Sequence, residues 1–304
     1  MQNRRQFIKN TSLTALALTA GSSWNELLAQ KHFTKLTILH TNDMHSRIDP
    51  FPDDDKKFAG RGGMAARATL IKKIRAEEKN ILLLDSGDIF QGTPYFNFFG
   101  GEVEFKMMSE MGYDAATLGN HDFDAGIDGL HRQLPHAKFP FVNCNYDFSD
   151  TLLHDKISQH KIFQFDELRV GVFGIGIELE GLVPKKLFGN TRYHEPIEKA
   201  NNVATLLKHE MKCDYVIALS NIGYKYEHNK VSDVVLAEST ENIDVLLGGH
   251  THTFMNEPAV VKNKNGKEVI INQVGWAGLV LGKIDIIFDE KRKQKAKYFS
   301  QKKI

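Results

Sequence analysis

Two cysteines in 304 residues, Cys144 and Cys213, permit one internal bridge at most. That excludes a disulfide scaffold and any zinc site built from several thiolates. No charge of one sign dominates, since 39 Lys+Arg stand against 38 Asp+Glu for a net charge of +1. A chain so balanced is a poor partner for the phosphates of a nucleic-acid polymer. The folded part has no uncharged apolar run of about 18 residues or more, which excludes a membrane-spanning helix there. No internal repeat occurs, and no stretch rich in Pro, Gly or Ser divides the chain after its first thirty residues. What remains is 41% hydrophobic, 25% charged and 10% aromatic, the composition of a globular protein with a core to bury. The count out of proportion is histidine, at 13.

The first thirty residues read as an address. Arg4, Arg5 and Lys9 are followed by a modestly apolar stretch from Leu13 to Ala20 and by a small residue, Ala29, suited to cleavage. The string Asn3-Arg4-Arg5-Gln6-Phe7-Ile8-Lys9 resembles a twin-arginine export signal, which a receptor reads and which does not anchor the protein. The competing reading is a soluble helix that happens to begin with two arginines. The expectation is a signal peptide over 1–29, a single domain over 30–304, and a periplasmic or otherwise extracytoplasmic location.

From Lys35 onward, short apolar runs alternate with helical patterns, which predicts an α/β architecture. Strands are expected near Lys35–His40, Ile81–Leu84, Ala115–Leu118, Phe141–Asn143, Arg169–Ile175, Tyr215–Leu219 and Asp244–Leu247. Helices fit Met64–Lys79, where Met64, Ala68, Ile71 and Ile74 recur at helical spacing, and Glu102–Met111, Pro196–Lys212 and Lys230–Glu238. Further strands fit Ala259–Lys262 and Val269–Asn272, joined by the turn Asn263-Lys264-Asn265-Gly266, and then Val280–Phe288. The basic tail Lys291–Lys303 reads as a solvated, partly frayed end, with a docking element as the competing reading.

After almost every apolar run comes a possible metal ligand. The first is followed by Asp43-Met44-His45, the second by Asp85-Ser86-Gly87-Asp88, and the third by Gly119-Asn120-His121-Asp122-Phe123-Asp124. The Tyr215 run ends in Ser220-Asn221, and the Asp244 run in Gly248-Gly249-His250-Thr251-His252. In α/β sheets, ligands gather beyond the carboxyl ends of the strands, so these clusters should converge. Asp, His and Asn together suit two divalent cations acting on a phosphate ester. A carboxylate with two oxygens can bridge the ions, while neutral imidazole and amide groups leave the pair enough positive charge to attract the substrate. Each piece alone is weak: a lone D-x-H is more often a surface turn, and Asp88 could cap a βα turn. It is the ordered set that carries the argument.

That set, D-x-H, G-D, G-N-H-D and G-H-T-H, resembles the calcineurin-like metallophosphoesterase superfamily. The strings Ile38 to His45, Asp88 to Thr93 and Gly112 to Asp124 resemble the catalytic domain of 5′-nucleotidases. The resemblance implies a four-layer αββα sandwich and a metal-dependent phosphoric ester hydrolase of nucleotide catabolism. It implies two divalent ions, with Mn, Zn, Mg and Ca not distinguished. Asp43, His45 and His252 would hold the first, Asp88 would bridge, and Asn120 and His250 would hold the second. A hydroxide held between the metals would attack phosphorus. His121 would be the catalytic histidine, oriented by Asp124, with Asp122 pointing elsewhere.

The sequence departs from that pattern twice. Where the family places a metal-binding histidine in an S-H-x-G string, this chain has Ser220-Asn221-Ile222-Gly223. Asn221 offers a carbonyl oxygen, a weaker donor than imidazole for zinc or manganese. The second position would then be looser, select a harder ion, or be partly empty. Secondly, the nucleotidases resembled here carry a C-terminal specificity domain, and this sequence ends at Ile304 without one. A separate specificity chain is one alternative, and a binding protein that holds nucleotide or phosphate without turnover is another. The aromatic loop Phe90 to Phe99 is a candidate wall for a leaving-group pocket, with ordinary packing as the competing reading.

Overall fold

The computed structural model describes residues 33–228 and 230–304. The expected signal peptide therefore lies outside the described residues. In chain order the main elements are β1 (Thr34–Thr41), α1 (Met64–Glu77), β2 (Ile81–Asp85), α2 (Pro94–Phe99), α3 (Glu102–Met111), β3 (Ala115–Ala116) and α4 (Gly126–Gln133). There follow β4 (Tyr146–Asp147), β5 (His160–Phe165), β6 (Leu168–Gly176), α5 (Lys185–Phe188), β7 (Arg192–Tyr193), α6 (Pro196–Thr205), β8 (Tyr215–Asn221), α7 (Asp233–Ser239) and β9 (Val245–Gly248). The chain closes with β10 (Ala259–Lys262), β11 (Glu268–Asn272), β12 (Val280–Phe288) and β13 (Gln294–Lys303).

These strands form two large sheets, one in the order β13-β12-β1-β2-β3 and one in the order β10-β11-β9-β8-β6-β5. Alternation decides how they pack, because successive side chains on a strand face opposite ways. Leu36, Ile38, Leu82 and Leu84 of the first sheet meet Val170, Val172, Ile217, Leu219, Val245 and Leu247 of the second in one buried layer. Burying each such side chain contributes about 1.5–3 kcal/mol. The opposite face of the first sheet, with Leu39 and Leu83, packs on Ile71 and Ile74 of α1 and Phe105 and Met108 of α3. The outer face of the second, with Phe173, Ala218 and Leu246, packs on Val203 of α6 and Leu236 of α7. The result is a four-layer αββα sandwich.

Within each sheet the central strands run parallel, β1 with β2 and β2 with β3, and β6 with β8 and β8 with β9. Their carboxyl ends, at Thr41, Asp85, Ala116, Asn221 and Gly248, are the places from which the expected site residues leave the sheets.

The structure corrects several local expectations. The basic tail is a strand, β13, paired antiparallel along the whole of β12. Edge pairing needs only backbone groups, so a segment of mostly exposed Lys and Gln side chains joins the sheet without an apolar face. Phe141 and Val142 make isolated bridges in place of the expected Phe141–Asn143 strand. The Phe90–Phe99 loop contains α2, started by Pro94 at a position where a missing N–H costs nothing. The α6 helix widens into a π turn over Leu206–Glu210. The helix expected from Lys230 begins instead at Asp233, where Ser232 accepts the Val235 N–H.

Candidate active site

The loops after β1, β2 and β3 meet those after β8 and β9 at the seam between the sheets, and backbone pairing locks them together. Asp43 N–H donates to the Gly87 carbonyl at 2.9 Å, His45 N–H to Asp88 at 3.0 Å, and Ser46 N–H to Ile89 at 2.8 Å. Across the seam, Ser86 Oγ donates to the Leu247 carbonyl at 2.8 Å. His250 N–H donates to Asp43 Oδ1 and Oδ2 at 2.8 and 3.0 Å.

These loops share a costly backbone. Asp43 (φ 50°), His45 (47°), Asp88 (56°), His250 (73°) and His252 (51°) all adopt the left-handed region. Non-glycine residues enter it at a cost, and such conformations concentrate where function needs a side chain aimed against local preference. Here they turn five of the expected site residues into one space.

The side chains follow. The candidate ligand atoms of Asp43, His45 and His252 all lie within 4.8 Å of one another. His45 Nε2 and His252 Nε2 are 2.8 Å apart, while His45 Nδ1 is 3.1 Å from the Gln91 carbonyl oxygen. That carbonyl can only accept, so Nδ1 carries the proton and Nε2 presents its lone pair inward. The Trp276 ring stacks on His252 with centroids 5.6 Å apart and planes at 8°. On the other side, His250 Nδ1 lies 2.8 Å from Asn120 Oδ1. Asp88, between the two groups, accepts the His121 backbone N–H on Oδ1 at 2.8 Å.

Electrostatics agree with a place for cations. Burial, reinforced by the neighbouring Asp88, pushes the Asp43 carboxyl well above its usual range. Burial lowers His45 and His250, and takes His252 down to about 4 with help from His45, so these imidazoles are neutral donors. Among the described residues neither Asp43 nor Asp88 forms an ion pair with lysine or arginine, and Asp43 has only His252 within ion-pair range, at 3.9 Å. Asn221 adds a buried side-chain oxygen, Oδ1, with no hydrogen-bond partner. A buried acceptor left unmatched costs about 1–3 kcal/mol. Gly119 keeps the space beside it open, because a Cβ there would sit 2.2 Å from Asp88 Oδ1 and 2.7 Å from Asn221 Oδ1. Crowded carboxylates, neutral imidazoles and an unmatched carbonyl oxygen around one gap fit divalent cations.

The last pair stands apart. His121 Nδ1 is 2.8 Å from Asp124 Oδ2, and the two side chains are 40% and 25% exposed. His121 thus reaches solvent. The Asp124 hydrogen bond raises its pKa against the opposing effect of burial. Its ring stands edge-on to His45 at 5.1 Å.

The sequence marks Asp122 only as pointing elsewhere and assigns no role to the other residues that support the site. The Asp122 carboxylate accepts four backbone N–H groups, from Asp88 (3.0 Å), Ile89 (3.0 Å), Phe90 (3.2 Å) and Gly119 (2.8 Å), and so shapes the loop that presents Asp88. Asn42 donates to Asp43 Oδ2 at 2.5 Å and accepts from Val274 N–H at 2.9 Å. Gln273 donates to the Gly249 carbonyl and to Asp233 Oδ2, both at 2.9 Å, and accepts from Thr253 N–H at 3.2 Å. Asn42 and Asp122 sit beside recognised residues and could have been found by asking what braces them. Gln273 and Trp276 follow β11 with no motif around them. The aromatic loop divides: Phe90 is buried against Phe105, while Phe98 stands 80% exposed.

A model of the calcineurin-like phosphoesterase family matches residues 36–254. The chain is 34% identical over 277 residues to a snake venom 5′-nucleotidase of Crotalus adamanteus, an alignment covering 84% of this chain and 46% of that protein. It is 32% identical over 288 residues to the trifunctional nucleotide phosphoesterase protein YfkN of Bacillus subtilis, covering 84% of this chain and 18% of that protein. The 5′-nucleotidase precursor from Thermus thermophilus superposes with a TM-score of 0.79 at 30% identity, over 89% of this chain and 55% of that one. The chain thus spans about half the length of the nucleotidases it matches.

Proposed function

The chain belongs to the calcineurin-like phosphoesterase family, a family of metal-dependent hydrolases, and from that premise we propose that it hydrolyses phosphomonoesters of the 5′-nucleotide class with two divalent cations. The observation that carries this reading is the meeting of Asp43, His45 and His252 with Asp88, next to a solvent-reaching His121–Asp124 pair. Asp43, His45 and His252 would hold one ion and Asn120, His250 and Asn221 the other, with Asp88 shared. Bound there, the ions supply positive charge to the phosphoryl oxygens and lower the pKa of water.

The protein's own groups do the rest. Asp124 fixes the proton of His121 on Nδ1 and turns Nε2 toward the site, where the imidazolium can donate to the oxygen of the departing alcohol. The His121 backbone bond to Asp88 ties that proton donor to the residue between the two cation positions. His252 packs along the Trp276 ring, which limits the directions its imidazole can take. The nucleotide preference, the placement of the catalytic domain at residues 30–304 behind a cleavable leader, and export by the twin-arginine route belong to the same proposal. The leader and export rest on the Arg4-Arg5 string, and the nucleotide preference on the likeness to 5′-nucleotidases.

The test is phosphate release by the purified protein, stripped of metal and reloaded, on 5′-AMP and p-nitrophenyl phosphate. His121→Ala should lower turnover by about a hundredfold or more while leaving metal content intact. Parallel loss of metal and turnover would make His121 a ligand. Metal and nucleotide bound without phosphate release would replace the hydrolase with a binding protein.

A further inference from the structure

The two cation positions differ in a way set by one buried amide. Asn221 ends β8, and period-two alternation sends its side chain toward the first sheet while Ser220 turns back to Asp233, donating to Oδ1 at 2.7 Å. Asn221 is wholly buried, and its Nδ2 donates to the Ser86 carbonyl at 2.9 Å. Turned over, the amide would set its oxygen against that carbonyl oxygen. The Ser86 bond therefore fixes which end faces the gap: Oδ1, the atom without a partner. Glycines on both sides keep the approach open. A Cβ at Gly119 would press on Asp88 Oδ1 and Asn221 Oδ1, and one at Gly249 would lie 2.8 Å from Asn221 Nδ2 and 3.2 Å from Asp43 Oδ2.

We propose that the two positions select different ions. The position bounded by Asp88, Asn120, Asn221 and His250 takes an oxygen-preferring cation such as Mn²⁺ or Mg²⁺, and the position of Asp43, His45, His252 and Asp88 retains Zn²⁺. This rests on the two-cation reading above. The donor sets give the reason. The first position offers two imidazole nitrogens and two carboxylate groups, a set that suits zinc. The second offers one imidazole, two amide oxygens and a carboxylate, and an amide carbonyl in place of an imidazole weakens zinc more than Mg²⁺ or Mn²⁺, so that manganese in excess can hold this position. Ser86 makes the difference lasting, because Asn221 cannot exchange its oxygen for another donor without losing that hydrogen bond.

The experiment is metal counting, not turnover. Metal-free protein is loaded with Zn²⁺ alone, Mn²⁺ alone, or both, dialysed against metal-free buffer, and its metal content measured by mass spectrometry. The expected result is one retained zinc per chain from zinc alone, with a second bound at least about tenfold more weakly, and one zinc plus one manganese when manganese is in large excess over one equivalent of zinc. Asn221→His should retain two zinc ions. Two zinc ions held with equal affinity by the unaltered protein would overturn the proposal, and this count needs no variant to fold. So would an Asn221→His protein, folded by circular dichroism, with unchanged zinc affinities. Retention of no divalent ion under any loading would instead overturn the two-cation reading, and this proposal with it.

Discussion

The loops from the first sheet and those from the second build the same site but are braced by different chemistry. Behind the first set stand buried carboxylates. Asp122 gathers four backbone N–H groups under Asp88 and Gly119. Asp85 accepts the Gly87 N–H at 2.9 Å and the Thr41 hydroxyl at 2.6 Å. Behind the His250–His252 loop stands an amide, Gln273, which touches Gly249, Thr251 and Thr253 and is itself held by Asp233. A carboxyl group can serve several converging donors at once; burial pushes Asp122 up to about 8 and Asp85 up to about 7, and for Asp122 the Gly119 and Phe90 N–H donors oppose that rise. The sheet that supplies Asp88 thus has the stiffer support, and the loop that carries two imidazoles has the more adaptable one.

Asp122→Ala is the sharpest way to break that contrast. It strips the acceptor from four backbone donors, in a place where each unsatisfied buried group costs about 1–3 kcal/mol. We expect a loss of about 4 kcal/mol or more in urea unfolding, with metal retention falling alongside. Asp122→Asn should recover only part of this, since an amide nitrogen would then face two of the N–H groups. A loss under about 1 kcal/mol would mean that the loop finds other acceptors and that the contrast is false.

Gln273→Ala makes the matching cut on the other side. It leaves the Gly249 carbonyl and the Thr253 N–H without their side-chain partner, yet neighbouring hydroxyls remain, since Thr251 and Thr253 already hydrogen-bond each other at 2.9 Å. About 2 kcal/mol is expected, half or less of the Asp122→Ala effect. Metal affinity should drop by about 10–100-fold through the loosened His250 and His252. Equal stability losses for the two variants would erase the distinction between the two supports.

How much of this the sequence discloses follows the same line. The clusters at Asp43, Asp88, Asn120 and His250 are short strings that end apolar runs, so both their existence and their meeting place could be read from strand order. The edges of the fold could not. Nothing in Gln294–Lys303 announces a strand, because β13 owes its place to the free edge of β12 and not to its own side chains. α4 is only eight residues long and holds two glycines, Gly126 and Gly129, poor helix formers that hide it even though its polar and apolar residues segregate to two faces. Nor does any local pattern show that Asp43, His45, Asp88, His250 and His252 sit in left-handed backbone, a strain that only the assembled loops can impose. Gln273 is more than twenty residues beyond His250 and becomes its support only when β11 pairs beside β9.

Asp124→Asn carries the smallest expected change in stability, and it separates support from chemistry. Asp124 lies two residues beyond Asp122 on the same first-sheet loop, but its carboxylate meets a side chain, His121, and is partly exposed. Water can satisfy what the substitution leaves, so unfolding should shift by no more than about 0.5 kcal/mol and metal content should not change. Turnover should still fall by about 10–100-fold, because an amide can no longer hold the charged imidazole with its proton on Nδ1. The sign of the pH effect follows from the same bond. Asp124 is the largest cause of the raised His121 pKa, so its loss should move the alkaline limb of the rate profile to lower pH. If Asp124→Asn cost as much stability as Asp122→Ala, membership of the first-sheet loop, and not a buried carboxylate serving backbone donors, would be what braces that side of the site.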